Sequence, residues 1–366
     1  MRNRLHSICP YFAMFPEEFA RNHIENLTDK GDLVLDPFSG RGTTLLQALL
    51  MERNALAADI NPVAYCITGA KAQAPILATV LAEIGKLELQ FIESKKSGLL
   101  RELEKLPPFF ARAFHRSTLQ ELLFLRGVLD WRGRRSHRFI AALVLGSLHG
   151  EISSPNYFSN QMPRTISTKP SYSLRFWSRH NLWPKRRQVF SILRSRATLR
   201  LGRERPLLGG RVKLVDARKA AKAFPSFKKK VKAVITSPPY FDTTSYEEDQ
   251  WLRLWFLGCA VKPTYGQISR DDRYAQKTKY WQFLEEVWFG VAPLMMKSSF
   301  LVIRLGGKNM EMSELTDNLV SSVTRAFPSA NMLKAPFKST LIKRQTSSFV
   351  PRTIGCRFEV DYVFKI

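Results

Sequence analysis

Two short polar segments each follow an apolar run, in a way that suits a bound ligand and a reactive group. The first, residues 36–44 (DPFSGRGTT), contains two glycines at alternate positions. A glycine turn between a strand and a helix lets a ligand approach the backbone closely. Asp59 ends the next apolar run, where a carboxylate can accept hydrogen bonds from a ribose diol. Because the spacing departs from both GxGxxG and the P-loop, a phosphate-bearing cofactor is not the first interpretation.

The second segment is Thr236-Ser237-Pro238-Pro239-Tyr240. Two consecutive prolines fix the backbone and remove two N–H donors, which leaves the Ser237 hydroxyl and main-chain carbonyls as acceptors. Such acceptors suit an amine that must be made nucleophilic, and the Tyr240 ring offers a flat surface for a planar base. Taken alone, the segment also fits an ordinary Ser-Pro-Pro turn that ends a strand.

A sheet must hold both segments, because each follows a predicted strand. The hydrophobic pattern predicts a helix over 45–51 and strands over 33–35, 55–58, 211–215, 232–236 and 300–305, with an antiparallel closing strand over 358–366. Strands that alternate with helices predict an α/β fold with a mostly parallel sheet. Ligands of such sheets bind at the carboxyl ends of the strands, where both segments lie.

Residues 75–210 have a different character and interrupt this alternation with mainly helical spacing. The net charge of the 366-residue chain is +26, and residues 101–210 contain 21 Lys and Arg against 6 Asp and Glu. A surplus of this size indicates a polyanionic partner, with nucleic acid ahead of an acidic membrane surface. We therefore interpret 75–210 as an inserted, basic, mainly helical region.

Several classes of protein are disfavoured. No apolar run approaches the ~20 residues that span a bilayer, and the amino terminus lacks the features of a signal peptide. The four cysteines are far apart and form no CxxC pair, so neither a metal site nor a disulfide framework is expected. A reducing compartment, the cytoplasm, fits this cysteine usage.

Together, and in this order, residues 36–44, 59–62 and 236–240 resemble the DNA amino-methyltransferases, which make N4-methylcytosine or N6-methyladenine. The resemblance covers about residues 11–74 and 211–305. It implies a Rossmann-like class I methyltransferase sheet and S-adenosylmethionine as the cofactor. Many family members have the catalytic segment first, whereas here the cofactor segment comes first.

The resemblance also implies roles for individual residues. Asp36 and the backbone of Pro37 to Thr43 would surround the methionine end of the cofactor, Asp59 would hold the ribose, and Ile60 would lie against the adenine. The full set implied to bind the cofactor is Phe15, Pro16, Asp36, Pro37, Phe38, Gly40, Gly42, Thr43, Asp59, Ile60, Asp216 and Ala217. The catalytic tetrapeptide is Ser237, Pro238, Pro239 and Tyr240.

The expected reaction is methyl transfer from S-adenosylmethionine to the exocyclic N4 amine of cytosine in DNA, on a base flipped out of the duplex. Ser at the first tetrapeptide position favours cytosine, since adenine-specific relatives more often have Asp there. The alternatives are an N6-adenine enzyme, an RNA base-amine methyltransferase, and a catalytically silent DNA-binding module. A cognate restriction endonuclease is a possible partner, and no membrane partner is expected.

Three segments of the chain are predicted to have different functions. Residues 1–74 and 211–366 would form the cofactor-binding and catalytic halves of the methyltransferase domain, and 75–210 would bind DNA and recognise the target. Within 75–210, the residues predicted to contact DNA are Trp183, Lys185, Arg186 and Arg187.

Residues 154–157 (SPNY) look like a degenerate copy of the tetrapeptide and are interpreted as a loop. Trp251, Trp255 and Phe256 are predicted to be core residues.

Overall fold

The structure is a computed structural model that describes residues 3–11, 14–202, 205–241, 245–268, 276–307, 310–340 and 358–366. The chain forms two compact units. The sheet unit comprises Ala13–Thr68, Pro206–Thr244 and Gly266–Ile366, and the helical unit comprises Met1–Phe12, Gly69–Arg205 and Ser245–Tyr265. The helical unit thus includes three segments outside 75–210, namely 1–12, 69–74 and 245–265.

The sheet unit is built on eight strands among the described residues. They are β1 (Leu33–Asp36), β2 (Asn54–Asp59), β3 (Arg211–Leu214), β4 (Val231–Thr236), β5 (Met295–Gly307), β6 (Asn331–Met332), β7 (Phe337–Thr340) and β8 (Phe358–Lys365). Their spatial order is β3-β2-β1-β4-β5-β8-β6, with β7 also paired to β8.

The first five strands in this order pair in parallel, and β8 pairs antiparallel with β5, β6 and β7. The predicted α/β class, with a mostly parallel sheet and an antiparallel strand near the carboxyl end, is therefore confirmed. β1 is buried along its whole length, as expected for an apolar strand covered on both faces. β5 begins at Met295, five residues before the predicted start.

Fifteen α-helices lie in the described part of the chain. They are α1 (Glu17–Leu27), α2 (Thr43–Leu50), α3 (Pro62–Ala72), α4 (Leu77–Glu93), α5 (Ser97–Glu104), α6 (Pro108–Ala113), α7 (Arg116–Val128), α8 (Arg135–Ser147), α9 (Pro170–Arg179), α10 (Val189–Leu201), α11 (Ala220–Ala223), α12 (Tyr246–Asp249), α13 (Trp251–Phe256), α14 (Lys277–Val291) and α15 (Met312–Ala326). Among these residues, no helix is both long and apolar enough to cross a membrane.

The helical unit has an aromatic core of its own. Phe109 and Phe110 of α6 pack against Trp251, and Phe110 also contacts Trp255 with ring centroids 4.6 Å apart. The prediction that Trp251, Trp255 and Phe256 are core residues is confirmed, since all three are buried. Residues 154–157 lie in a turn rather than at a strand end, as predicted. Large aromatic side chains bury much apolar area each, which suits a unit whose described residues contribute no strand to the sheet.

Candidate functional site

Asp36 ends β1 at the carboxyl edge of the parallel sheet and is fully buried. Its Oδ1 accepts hydrogen bonds from Thr236 Oγ1 at 2.7 Å and from the Phe38 backbone N–H at 3.1 Å. Its Oδ2 is also buried and has no hydrogen-bond partner among the described residues. Burial raises the pKa of Asp36 to about 7, because a carboxylate loses its hydration there. A buried carboxylate oxygen without a donor calls for a ligand that supplies one.

The segment after Asp36 is a tight loop that requires glycine at two positions. Gly40 and Gly42 have φ values of 48° and 73°, in the left-handed region that other residues adopt at a cost. Gly42 also precedes the first residue of α2, and a Cβ atom there would lie 2.7 Å from Thr68 Oγ1. The Thr68 hydroxyl donates to the Gly40 carbonyl at 3.1 Å, so α3 supports the loop from behind. Backbone N–H groups at the start of α2 make this loop suited to a polar ligand group.

Asp59 ends β2, the strand next to β1. Its Oδ2 accepts from the Gly40 N–H at 2.8 Å, and its Oδ1 accepts from the Asn61 N–H at 2.9 Å. Burial raises the pKa of Asp59 to about 6, against the lowering effect of these backbone donors. Asp59 therefore fixes the glycine loop, and its oxygens keep lone pairs that can accept from a diol. Ile60 follows it and is half-buried.

Phe15 contacts the same loop through Arg41, a residue for which the sequence suggested no role, and Pro16 follows it as the residue that precedes α1. The Arg41 side chain is nearly buried, donates to Thr43 Oγ1 at 3.0 Å, and donates to the Phe15 carbonyl at 3.4 Å. The Phe15 ring meets Phe19 of α1 edge to face, with centroids 5.1 Å apart. The predicted amino-terminal segment thus lies beside the glycine loop.

Asp216 follows β3, and its carboxylate is engaged within the protein. Oδ1 accepts from the Arg218 backbone N–H and from Nε, and Oδ2 accepts from Arg218 Nη2 at 2.8 Å. The Arg218 guanidinium also donates to Glu286 and lies 5.7 Å from the centre of the Phe283 ring, which meets Phe38 edge to face. Ala217 is buried. Asp216 and Arg218 thus form an ion pair after β3 that the sequence pattern did not indicate.

Ser237, Pro238, Pro239 and Tyr240 follow β4, which neighbours β1. The Thr236–Asp36 hydrogen bond therefore ties the end of β4 to the residue that opens the glycine loop. Thr44 adds a second tie, because its hydroxyl donates to the Ile235 carbonyl at 3.1 Å. Hydrogen bonds between adjacent strand ends bring the two polar segments to one edge of the sheet, as the α/β topology predicts.

A hydrogen-bond chain leads from the tetrapeptide to β8. The Ser237 hydroxyl donates to Tyr240 Oη at 3.3 Å, and the Tyr240 hydroxyl donates to Glu359 Oε1 at 3.0 Å. Arg304 of β5 lies 3.5 Å from Glu359 and pairs with Asp361 through two hydrogen bonds of 2.6 and 2.7 Å. Nothing in the sequence pointed to Glu359, Arg304 or Asp361, because only the β5–β8 register brings them together.

The four residues predicted to contact DNA lie between α9 and α10 of the helical unit. Trp183 is 61% exposed, and the Arg112 guanidinium stacks on its ring at 3.7 Å. Lys185 is exposed. Arg186 pairs with the buried Glu121, and Arg187 donates to the Ile152 carbonyl at 2.8 Å. The two arginines therefore have structural partners that a charge pattern does not reveal.

Comparison with known proteins agrees with the motifs. A family model described as DNA methylase matches residues 2–68. The orphan methyltransferase M.BamHII of Bacillus amyloliquefaciens is 43% identical over 54 residues, which cover 15% of this chain and 20% of that protein. Type II methyltransferase M.BsoBI of Geobacillus stearothermophilus is 28% identical over 154 residues, which cover 41% of this chain and 29% of that protein.

The chain thus spans less than a third of the length of either curated relative. Among solved structures, the rRNA methyltransferase aviRa of Streptomyces viridochromogenes aligns with 98% of this chain and 87% of its own, at 12% identity and a TM-score of 0.34. That TM-score is too low to bear on fold or function. The resemblance to the DNA amino-methyltransferases, which the motifs predict, is confirmed by the family model on residues 2–68 and by these two curated methyltransferases.

Proposed function

We propose that this protein is an enzyme that transfers a methyl group from S-adenosylmethionine to an exocyclic amino group of a base in DNA. One observation carries the proposal. A loop built to hold a polar ligand, 36–43, and a row of acceptors beside an aromatic ring, 237–240, follow neighbouring strands that the Thr236–Asp36 hydrogen bond joins. A cofactor and a planar amine can therefore meet at one sheet edge.

The residues present fit this cofactor. Asp36 has a buried Oδ2 without a donor among the described residues, and the ammonium at the methionine end would supply both a donor and a countercharge. Asp59 offers carboxylate lone pairs to the ribose diol, and the half-buried Ile60 offers an apolar surface to the adenine. When bound, the cofactor supplies an electrophilic methyl group.

The protein's own contribution is to orient the amine and to make its nitrogen more nucleophilic. The lone pair of an exocyclic amine is delocalised into the ring, so the nitrogen is a poor nucleophile. Acceptors on its two N–H groups, namely the Ser237 hydroxyl and a main-chain carbonyl of the Pro-Pro turn, would localise that pair. The ring of Tyr240, which is half-buried, would stack on the base. Because a paired base cannot reach such a site, the target must be flipped out of the duplex.

We further propose that the target is the N4 amine of cytosine. Ser237 supports this, since a hydroxyl occupies the position where adenine-specific relatives more often carry Asp. N6 of adenine is the alternative within the same chemistry. A cytoplasmic location and a cognate restriction endonuclease remain predictions.

For DNA contact we propose the exposed aromatic and basic residues of the helical unit. Trp183 presents one ring face to Arg112, and Tyr172, 53% exposed, stacks on Phe176. Aromatic faces beside cations suit bases and phosphates together. Lys185 extends the set, whereas Arg186 and Arg187 would contribute in addition to their internal partners.

The decisive experiment incubates the protein with radiolabelled S-adenosylmethionine and unmethylated DNA or tRNA, and identifies the modified base by mass spectrometry. We expect label in DNA as N4-methylcytosine. N6-methyladenine would correct the base, label in tRNA alone would change the substrate class, and no transfer to either would reject the proposal. Calorimetry on Ser237→Ala and Asp59→Ala separates the roles: we expect the first to bind the cofactor almost normally without transfer, and the second to lose binding.

A further inference from the structure

The carboxylate of Glu359 ends a hydrogen-bond chain that starts at the tetrapeptide. Ser237 Oγ donates to Tyr240 Oη at 3.3 Å, and Tyr240 Oη donates to Glu359 Oε1 at 3.0 Å. Both hydrogen bonds run in the direction from Ser237 to Glu359. The Ser237 oxygen donates in this chain, so its lone pairs can accept a hydrogen bond from the substrate. The chain thus has the direction that a proton leaving an amine would need.

Arg304 is shared by two carboxylates, and it binds them unequally. Asp361 makes a bidentate pair with the guanidinium at 2.6 and 2.7 Å, whereas Glu359 lies 3.5 Å away. One cation therefore faces two anions, and the more weakly held anion is the one that takes up a proton more readily. The Arg304 guanidinium also lies over the Phe19 ring, 4.2 Å from its centre, and this contact helps to hold the guanidinium in place.

Burial also favours the protonated form of Glu359. The Glu359 side chain is 14% exposed, and desolvation raises the pKa of its carboxyl above the ordinary value, against the lowering effects of Arg304 and the Tyr240 hydroxyl. The remaining exposure provides a route for a proton to reach water. The groups that act on the Glu359 carboxyl are Arg304 of β5, Asp361 of β8 and the Tyr240 hydroxyl. Arg304 and Asp361 also act on His23 of α1, as does Lys334, and Lys338 of β7 lies over the ring of Phe358, the residue before Glu359.

We propose that Glu359 is the terminal proton acceptor for the target amine, acting through Tyr240 and Ser237. The proposal rests on the proposed function, because it concerns the fate of a proton on the amine that is methylated. It makes Glu359 a positioning and relay residue, while Ser237 remains the group that touches the substrate.

The step balances in atoms and charge. An amino nitrogen that gains a methyl group becomes cationic and must lose one proton. That N–H bond breaks as Ser237 Oγ takes the proton, the Ser237 proton passes to Tyr240 Oη, and the Tyr240 proton forms an O–H bond on Glu359 Oε1. The nitrogen loses its positive charge and Glu359 its negative charge, while Arg304 stays paired with Asp361. Water then takes the proton from the partly exposed Glu359 carboxyl.

The first test is single-turnover methyl transfer to DNA at saturating cofactor, measured against pH. In the wild type we expect the rate to rise with pH through the raised pKa of Glu359, because only the ionised carboxylate accepts a proton. Glu359→Gln keeps an acceptor for the Tyr240 hydroxyl but cannot take up the proton, so the rate at neutral pH should fall about 100-fold and this limb of the profile should vanish. Glu314→Gln removes a carboxyl of α15 that takes no part in the hydrogen-bond chain from Ser237 to Glu359, and it serves as the control.

The second test needs no cofactor and no DNA. Infrared titration of the cofactor-free protein, taken as the difference between wild type and Glu359→Gln, isolates the protonated Glu359 carboxyl. Tyr240→Phe removes a donor to the ionised form and should move the midpoint up in pH. Asp361→Asn removes a competing anion and should move it down.

These outcomes separate the two proposals. If the wild type methylates DNA but Glu359→Gln keeps its rate and pH profile, the relay is wrong and the proposed function stands. If neither substitution moves the infrared midpoint, the relay is wrong whatever the activity. If the infrared shifts occur and the wild type transfers nothing to DNA or tRNA, the coupled groups exist but the proposed function, and the relay with it, is rejected.

Discussion

Each unit of the protein buries a charged side chain, and the two charges have different surroundings. In the sheet unit, Asp36 is fully buried at a strand end, and its Oδ2 lacks a donor within the described residues. In the helical unit, Arg253 is equally buried, but its guanidinium donates to the carbonyls of Leu145, Arg164 and Thr165 and to the Gln250 side chain. A buried charge with internal partners maintains structure, whereas one with an unmet oxygen at a ligand-binding edge indicates a ligand.

The largest expected effect is on the helical unit. Arg253→Met should lower the free energy of unfolding by about 3–5 kcal/mol, because it leaves several buried carbonyls without donors. Arg175→Met, at an exposed position of α9, is the matched control and should change it by less than about 0.5 kcal/mol. Urea unfolding measures both. Equal effects from the two substitutions would show that Arg253 is not the structural charge described above.

Asp36 should behave in the opposite way. Its pKa of about 7 in the folded state exceeds the unfolded value, so between about pH 4 and 7 the unfolded chain gives up a proton that the folded chain keeps. Wild-type stability is therefore lost as pH rises through this window, on the order of 2–4 kcal/mol. Asp36→Asn lacks this penalty, so its stability relative to the wild type should grow up to about pH 7 and then stay constant.

The same substitution should weaken S-adenosylmethionine binding about 100-fold, since it removes a charged hydrogen bond. Melting curves across the pH range and calorimetry at pH 7.5 check both parts. A variant that is less stable than the wild type at pH 7.5 and still binds the cofactor would contradict the contrast with Arg253.

A smaller effect is expected at Gly42. Gly42→Ala combines a left-handed backbone with a contact on Thr68, whereas Gly31→Ala has a φ of 87° and nothing within 4 Å of the new Cβ. Gly31→Ala should cost about 1–2 kcal/mol of backbone strain. Gly42→Ala should cost more and also weaken cofactor binding, because the loop must move. Identical losses of stability with no change in binding would mean that the 36–44 loop is an ordinary turn.

The smallest effect concerns the exposed cations of the helical unit. Lys185→Ala should reduce the slope of log affinity for duplex DNA against log salt by about 0.9, the value for one phosphate contact. Arg186→Ala should instead lower the unfolding free energy, because the buried Glu121 loses its cationic partner. Fluorescence anisotropy at several salt concentrations provides the slopes. An unchanged slope in Lys185→Ala would place DNA contact elsewhere.

The sequence was sufficient for the residues whose place depends on strand direction. Asp36, Asp59 and Ser237 each follow an apolar run, and parallel strands bring such ends to one edge. The hydrogen bond between Tyr240 and Glu359 was not predictable, because it depends on the antiparallel register of β8 and joins residues 119 positions apart. Arg186 and Arg187 illustrate the other limit: a basic run does not reveal which cations face solvent and which meet a buried Glu or a carbonyl.

The Thr236–Asp36 hydrogen bond joins residues 200 positions apart. Its contribution to loop-closure entropy is modest, since that cost grows only with the logarithm of loop length. Its kinetic consequence is larger, because contacts of such sequence separation form slowly. We therefore expect the ligand edge of the sheet to form late in folding, after β1 has paired with β4. We expect the recovery of cofactor binding during refolding to lag behind the recovery of helical circular dichroism.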